Sequence, residues 1–215
     1  MTLKVAGIYL AAGRSSRMGT PKVSLRLSED VTLGSVALSE LERCGFKPLV
    51  VVVRADDKLE WLPPESGVRG TRRTETCLTA HLGLSFSLRC GLNAVLPTEP
   101  DAVVVALADQ PFITAGLIGR LIDTFRRSPD LDYVASRGDG TVMPPALFSK
   151  SLFPALQQLD GDRGAASILH SPAYKGAVIE GESPFFMDAD TEGDFMEIRR
   201  QWMLINGQNR DSAGI

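Results

Sequence analysis

Short apolar runs rich in β-branched residues recur along this 215-residue chain, and segments with helical spacing separate them. The clearest runs are "KVAGIYL" from Lys4, "PLVVVV" from Pro48 and "DAVVVALA" from Asp101, and weaker ones are "DYVAS" from Asp132 and "GAVIE" from Gly176. Continuous apolar strands are typical of a parallel sheet that helices cover on both faces. The pattern therefore predicts an α/β fold with a doubly wound, mostly parallel sheet and right-handed crossovers.

Two segments between these runs carry clear helix signals. "LGSVALSELERCG" from Leu33 groups its apolar residues near one face and ends at Gly45, a good C-terminal residue for a helix. "TAGLIGRLIDTFRRS" from Thr114 begins with a threonine cap and ends with Arg126 and Arg127, where cations suit the helix dipole. Ligands of such folds bind at the carboxyl ends of the strands, so we expect a site there.

The alternation weakens after about Thr141, a region that we interpret as a loop and two helical pieces. We expect this region to form a small lobe or lid over the site. The length and composition predict a single domain over residues 1–205, with residues 206–215 as a flexible tail.

Charge and cysteine content exclude several classes of protein. With 23 Lys and Arg against 26 Asp and Glu, and no long basic run, the chain lacks the charge footprint of a nucleic-acid-binding protein. The apolar runs are too short to span a bilayer. The 3 cysteines fit neither a disulfide framework nor a zinc site. We therefore expect a cytoplasmic protein that binds neither nucleic acid nor membrane.

The loop "LAAGRSSRMGTPK", from Leu10 to Lys22, directly follows the first predicted strand. Gly13 and Gly19 can adopt positive φ and let backbone N–H groups approach an anion, while Arg14, Arg17 and Lys22 supply positive charge. The loop fits neither the Walker pattern nor the dinucleotide G-x-G-x-x-G pattern. It predicts a phosphate site, although a glycine-rich turn with solvated cations is the alternative.

This loop resembles the signature L-A-[AG]-G-x-S-x-R-M-G-x-x-K of the nucleotidyltransferases that act on the molybdenum cofactor. "GLSFSLRCGL" from Gly83 is similar to the family's G-x-S-x-S-L-R-x-G-L, and "LADQP" from Leu107 is identical to its L-A-D-Q-P. "DGDRGA" from Asp160 and "DADT" from Asp188 extend the resemblance over most of the chain. The resemblance implies a Rossmann-like nucleotidyltransferase fold, with the small lobe on the acceptor side.

The resemblance also implies a donor nucleotide and an acceptor. Ala12 gives the loop the L-A-A-G form of the cytidylyltransferase branch, which favours CTP, and its methyl group would narrow the space beside the base. The implied acceptor is molybdenum-molybdopterin, and the implied protein partner is a xanthine-dehydrogenase-type hydroxylase. A GTP-dependent enzyme, a sugar- or polyol-phosphate nucleotidyltransferase and a non-catalytic molybdenum cofactor-binding chaperone remain as alternatives.

Nucleotidyl transfer joins an anionic nucleophile to a phosphate, so it needs a divalent cation and fixed positive charges. Asp109 directly follows a predicted buried strand and is a good ligand for Mg²⁺ (or Mn²⁺). Asp188 and Asp190 lie two residues apart, so their side chains point the same way on an extended segment and both are candidate metal ligands. The resemblance selects Asp190 as the second ligand and leaves Asp188 as a further candidate. Alternatively, Thr191 and Asp194 are simply the start of a helix.

The remaining candidates bind the two substrates. Lys22 is expected to stabilise the α-phosphate in the transition state and Arg17 to hold the β- and γ-phosphates. The nucleotide-binding candidates are Leu10, Ala11, Ala12, Gly13, Arg14, Ser15 and Gly19 in the loop, and Ser85, Ser87 and Arg89 farther along the chain. The two serines either recognise the cytosine edge or cap a helix.

One turn, and two positions that differ from the family's pattern, bear on how the acceptor would bind. Asp162, Arg163 and Gly164 suit a lid over a pterin or its phosphate, although an ordinary turn between helices fits equally well. Met143 occupies a position that is polar in the family, and Glu192-Gly193 stands where Pro-Glu is usual.

Overall fold

The computed structural model describes residues 3–13, 21–64, 72–138, 140–181 and 186–212, with residues 207–212 described as backbone only. The strands are β1 Val5–Leu10, β2 Leu49–Arg54, β3 Arg72–Cys77, β4 Ala102–Leu107, β5 Tyr133–Gly138, β6 Thr141–Ser149 and β7 Gly176–Glu180. The α-helices are α1 Leu33–Arg43, α2 Leu84–Val95, α3 Ala115–Arg127, α4 Phe153–Gln157, α5 Ala166–Leu169 and α6 Glu192–Ser212, and a 3₁₀ turn spans Lys22–Ser24.

Within these residues, seven strands form one sheet in the order β3-β2-β1-β4-β6-β5-β7. Strands β1 to β4 are mutually parallel, β6 is antiparallel to both of its neighbours, and β7 is parallel to β5. Strand β1 places Ile8 between Val50 of β2 and Val105 of β4. The predicted mostly parallel α/β sheet is therefore confirmed.

Helices cover both faces of the sheet, which explains why its central strands are apolar throughout. Helices α1 and α3 pack on the face that carries Tyr9, Val51 and Val104. Helices α2, α4 and α5 pack on the opposite face. Helix α2 lies very close to β1, because a Cβ atom on Gly91 would come within 2.5 Å of Ile8 Cγ2.

The two predicted helices are present. Helix α1 is preceded by Thr32 in a capping box and followed by Gly45 at φ 69°. Helix α3 is capped by Thr114, whose side chain accepts a hydrogen bond from the Leu117 backbone N–H. Both helices end with arginine in the last turn, as the helix dipole favours.

The interpretation of the region after Thr141 as a loop was wrong for its first part. Residues 141–149 form β6, which is inserted between β4 and β5, so this region completes the main sheet instead of beginning a separate lobe. Two adjacent prolines, Pro144 and Pro145, are unusual within a strand because proline cannot donate a ladder hydrogen bond. The structure accommodates them at an irregularity where the pairing register shifts between Ala135 and Ser136.

Strand β3 was also missed, because its "RRTETC" sequence is polar and lies at the edge of the sheet. The segment from Asn206, for which the sequence suggested a loose tail, continues α6 to Ser212. Over the described parts of the chain, no helix combines the length and apolarity needed to cross a membrane.

Candidate active site

A lysine and two aspartates meet at the carboxyl ends of the parallel strands. The Nζ atom of Lys22 lies 2.6 Å from Asp190 Oδ1 and 3.9 Å from Asp109 Oδ2. Lys22 enters from the 3₁₀ turn that follows the glycine-rich loop, Asp109 from the end of β4, and Asp190 from the segment before α6. The structure thus brings together three residues that are far apart in sequence and that we had predicted to act on phosphate and metal.

Backbone pairing fixes this arrangement. The Ala108 backbone N–H donates to the Leu10 carbonyl at 3.1 Å, which joins the ends of β1 and β4. The Ala189 backbone N–H donates to the Asp109 carbonyl at 3.2 Å, which holds the segment containing Asp188 and Asp190 against the end of β4. These two backbone hydrogen bonds therefore fix the positions of the Asp109, Asp188 and Asp190 carboxylates relative to β1.

The electrostatics favour a cation at this point. Burial raises the pKa of Asp109 above its ordinary value, the nearby Lys22 ammonium group partly opposes this, and Asp190 raises it further. Burial also raises the pKa of Asp188 to about 6, with Asp109 adding to the rise. Carboxylates that are costly to ionise together are stabilised by a bound cation, so the cluster is suited to hold one.

The donor set fits a hard divalent cation. Asp109 and Asp190 offer carboxylate oxygens, which converge on the Lys22 ammonium group at one point of the sheet edge. Within the described ranges, no group of three or more His, Cys, Asp or Glu side chains could hold a metal by itself. Mg²⁺ commonly takes one or two carboxylates and completes its shell with water and substrate phosphates. The residues present therefore fit a Mg²⁺ or Mn²⁺ ion that shares its ligands with a nucleotide.

The glycine-rich loop is described only in part. Ala11 and Ala12 follow β1 and are buried, and Gly13 is exposed. The Ala12 side chain is 3% exposed and packs in the core on the α2 face, so a narrowing effect of its methyl group on a base would be indirect. Arg14, Ser15, Arg17 and Gly19 lie outside the described residues, and their predicted phosphate contacts stay predictions.

The two serines of α2 turn inward. Ser85 is fully buried, and its Oγ donates to the Asp160 carbonyl at 3.1 Å, while Ser87 is also buried. Arg89 lies over the Phe86 ring at 5.4 Å. Neither serine caps the helix, because α2 begins after Gly83 without a side-chain cap. The Ser85 hydroxyl therefore links α2 to the turn between α4 and α5, and base recognition by Ser85, Ser87 and Arg89 stays a prediction.

The turn whose Asp160 carbonyl accepts the Ser85 hydrogen bond contains the predicted acceptor residues. Residues 160–164 form a turn between α4 and α5, in which Gly164 has φ 53° and packs against Leu84. A Cβ atom on Gly83 would lie 2.5 Å from the Gly161 carbonyl oxygen, so this approach requires glycine. Asp162 and Arg163 are exposed. The structure places this turn beside the start of α2 and leaves both the lid and the ordinary turn open.

Sequence reasoning missed Gln110, the residue after Asp109. Its side chain is 1% exposed, and its Nε2 donates to the Met143 sulfur at 3.9 Å, a weak interaction. Its Oε1 has no hydrogen-bond partner among the described residues. The residue lies inside the matched "LADQP" motif, but its burial and its unpaired oxygen are visible only in three dimensions.

Comparison with known proteins decides the family. The model of the MobA-like NTP transferase domain matches residues 7–177, which is most of the chain. The chain belongs to the MobA-like NTP transferase family. Its nucleotidyltransferase fold and family, predicted from the sequence motifs, are thereby confirmed.

Three similar proteins illustrate the range of this MobA-like family. The chain is 31% identical over 200 residues to the purine catabolism protein PucB of Bacillus subtilis, covering 90% of this chain and 95% of PucB. It is 30% identical over 135 residues to a molybdenum cofactor guanylyltransferase of Rhizobium leguminosarum, covering 63% of this chain and 59% of that enzyme. The crystal structure of an Rv0371c homologue from Mycobacterium sp. strain JC1 matches with a TM-score of 0.76 and 28% identity, covering 94% of this chain and 98% of that one.

Proposed function

We propose that this MobA-like transferase moves CMP from CTP to molybdenum-molybdopterin and releases pyrophosphate. The observation that carries the proposal is the contact of Lys22 with Asp109 and Asp190 at the carboxyl ends of the parallel strands. One fixed ammonium group and two carboxylates are what a metal-assisted attack on a phosphate needs.

The chemistry would be a direct, in-line displacement. A terminal phosphate oxygen of the acceptor forms a bond to the α-phosphorus, and the bond to the β-phosphate breaks as pyrophosphate leaves. Asp109 and Asp190 would hold a Mg²⁺ (or Mn²⁺) ion, which neutralises the triphosphate. Lys22, whose side chain is 15% exposed and faces both carboxylates, would exchange part of this contact for the α-phosphate.

The identity of the substrates rests on sequence likeness. Ala12 belongs to the L-A-A-G form that resembles the cytidylyltransferase branch, which favours CTP. The similarity to a molybdenum cofactor guanylyltransferase supports molybdopterin as the acceptor. The name of the Bacillus subtilis relative, a purine catabolism protein, suits a xanthine-dehydrogenase-type hydroxylase as the protein that receives the product in the cytoplasm.

A second candidate is the same transfer with GTP as the donor. It is favoured by the printed activity of the Rhizobium leguminosarum relative, which is a guanylyltransferase. The two candidates share the metal site and the acceptor, so the donor base alone distinguishes them.

Nucleotide-dependent stabilisation tests the proposal without the acceptor. A ligand at about one hundred times its Kd adds roughly 2.7 kcal/mol of stability. For a chain of this length, this amounts to a rise in Tm of about 5 to 10 °C. We expect CTP with Mg²⁺ to produce this rise, GTP, ATP and UTP to produce little, and Asp109→Asn to lose it.

A matched control uses the other end of the same strand. Asp101 precedes β4, and its carboxylate accepts a hydrogen bond from the Lys4 backbone N–H, far from Lys22. Asp101→Asn should keep the CTP response. Pyrophosphate release with molybdenum-molybdopterin then completes the test. A rise with GTP alone would move the protein to the guanylyl branch, and no response to any nucleotide would favour a cofactor chaperone.

A further inference from the structure

Two oxygen atoms beside the proposed metal site are buried without a hydrogen-bond donor. They are Gln110 Oε1 and Asp188 Oδ1, which have no partner in the part of the chain that the structure describes. Almost all buried polar atoms in folded proteins are paired, because desolvation without a hydrogen bond costs free energy. Two such oxygens at one site therefore indicate a ligand that supplies the donors.

The two side chains are neighbours. The backbone hydrogen bond from Ala189 to Asp109 holds Asp188 beside the end of β4, where the Gln110 amide faces its carboxyl group and lowers its pKa against the larger effect of burial. Gln110 follows Asp109 at the end of β4, and its Nε2 faces Met143 of β6. Because β6 lies on the opposite side of β4 from β1 and its glycine-rich loop, Gln110 belongs to the half of the site away from the nucleotide loop.

The chemistry of this pair restricts the ligand. The two unpaired atoms are both hydrogen-bond acceptors, so they call for neighbouring N–H donors. They complement a ring edge that carries an amino group beside a ring N–H. Pterins present this 2-amino-4-oxo edge, and guanine presents the same edge.

We propose that Gln110 and Asp188 form a subsite that recognises the 2-amino-4-oxo edge of the acceptor's pterin. The inference rests on the proposed function for the identity of the acceptor. It separates Asp188 from Asp109 and Asp190, because Asp188 then binds the pterin and the other two hold the metal. The Gln110 amide nitrogen faces Met143 and Asp188, so Oε1 is the atom of this side chain that is left for a ligand donor.

The test measures binding, so that it does not depend on turnover. The probe is 6-hydroxymethylpterin phosphate, whose fluorescence anisotropy reports its binding to the full chain in the presence of Mg²⁺. We expect Gln110→Met and Asp188→Asn each to weaken binding at least tenfold, and the double variant to lose less than the product of the two effects. The matched control Met143→Leu changes a side chain next to Gln110 without removing an N–H group or an oxygen, and this variant should bind the probe as the wild type does.

Each outcome decides the inference. Wild-type affinity in Gln110→Met, with the Tm rise on adding CTP preserved, would overturn it, as would a wild-type protein that does not bind the probe. If GTP, but not CTP, displaces the probe and this competition requires Gln110, the subsite reads guanine and the assignment to the acceptor is overturned. If probe binding depends on Gln110 but no pyrophosphate is released with molybdenum-molybdopterin and CTP or GTP, the subsite stands and the proposed function fails.

Discussion

Replacing Asp188 by asparagine should stabilise the metal-free protein at neutral pH and have little effect in acid. Burial, with help from Asp109 and Asp190, raises the pKa of Asp188 from 3.8 to about 6, while Lys22 and Gln110 oppose the rise. Between pH 3.8 and about pH 6, the folded protein therefore keeps the Asp188 proton that the unfolded chain has already lost. Folding is favoured below pH 3.8, and this contribution disappears as the pH rises through about 6.

The size of the effect follows from the difference between the two pKa values. A rise from 3.8 to about 6 corresponds to about 3 kcal/mol of folding free energy. Because Asp188 is only partly buried, solvent screens part of this interaction, and we expect about 1 to 2 kcal/mol at pH 7.5. Asparagine does not ionise, so Asp188→Asn should recover this amount above about pH 6.5.

Urea unfolding in EDTA from pH 4 to pH 8 measures this difference directly. The stability of Asp188→Asn relative to the wild type should grow with pH between about pH 4 and pH 6.5 and then level off. Asp194→Asn is the matched control, because hydrogen bonds from Thr191 lower the pKa of Asp194 and the sign is reversed. A difference between Asp188→Asn and the wild type that does not change with pH would refute the reasoning.

Two further predictions concern catalysis and packing. Lys22→Met should lower kcat at least a hundredfold, which steady-state kinetics measure. It should also tighten Mn²⁺ binding to the nucleotide-free protein in a Mn²⁺ titration, because an ammonium group no longer competes for Asp109. An unchanged kcat would remove Lys22 from the mechanism. Gly91→Ala should destabilise the fold by about 1 to 3 kcal/mol, because the added Cβ atom meets Ile8. Gly119→Ala adds a Cβ atom that meets no atom within 4 Å, so it should stabilise the fold by about 0.5 to 1 kcal/mol. Urea midpoints that move in the same direction for both variants would contradict the packing argument.

The sequence predicted the parts of the fold that local chemistry controls. The apolar runs that form β1, β2 and β4 predicted buried parallel strands, because such strands are apolar on both faces. The cap at Thr114 and the terminal arginines marked α3, because backbone groups at helix ends need nearby partners. Asp109 was placed at the active edge because it directly follows such a run.

The tertiary structure decided what depends on residues distant in sequence. Strand β6 carries two prolines and became a strand only because its neighbours accommodate an irregular register. The approach of Lys22 to Asp190, 168 positions away in the chain, required the whole sheet to form. The unpaired oxygen of Gln110 is likewise a property of its surroundings, because no local pattern shows whether a buried polar atom has a partner.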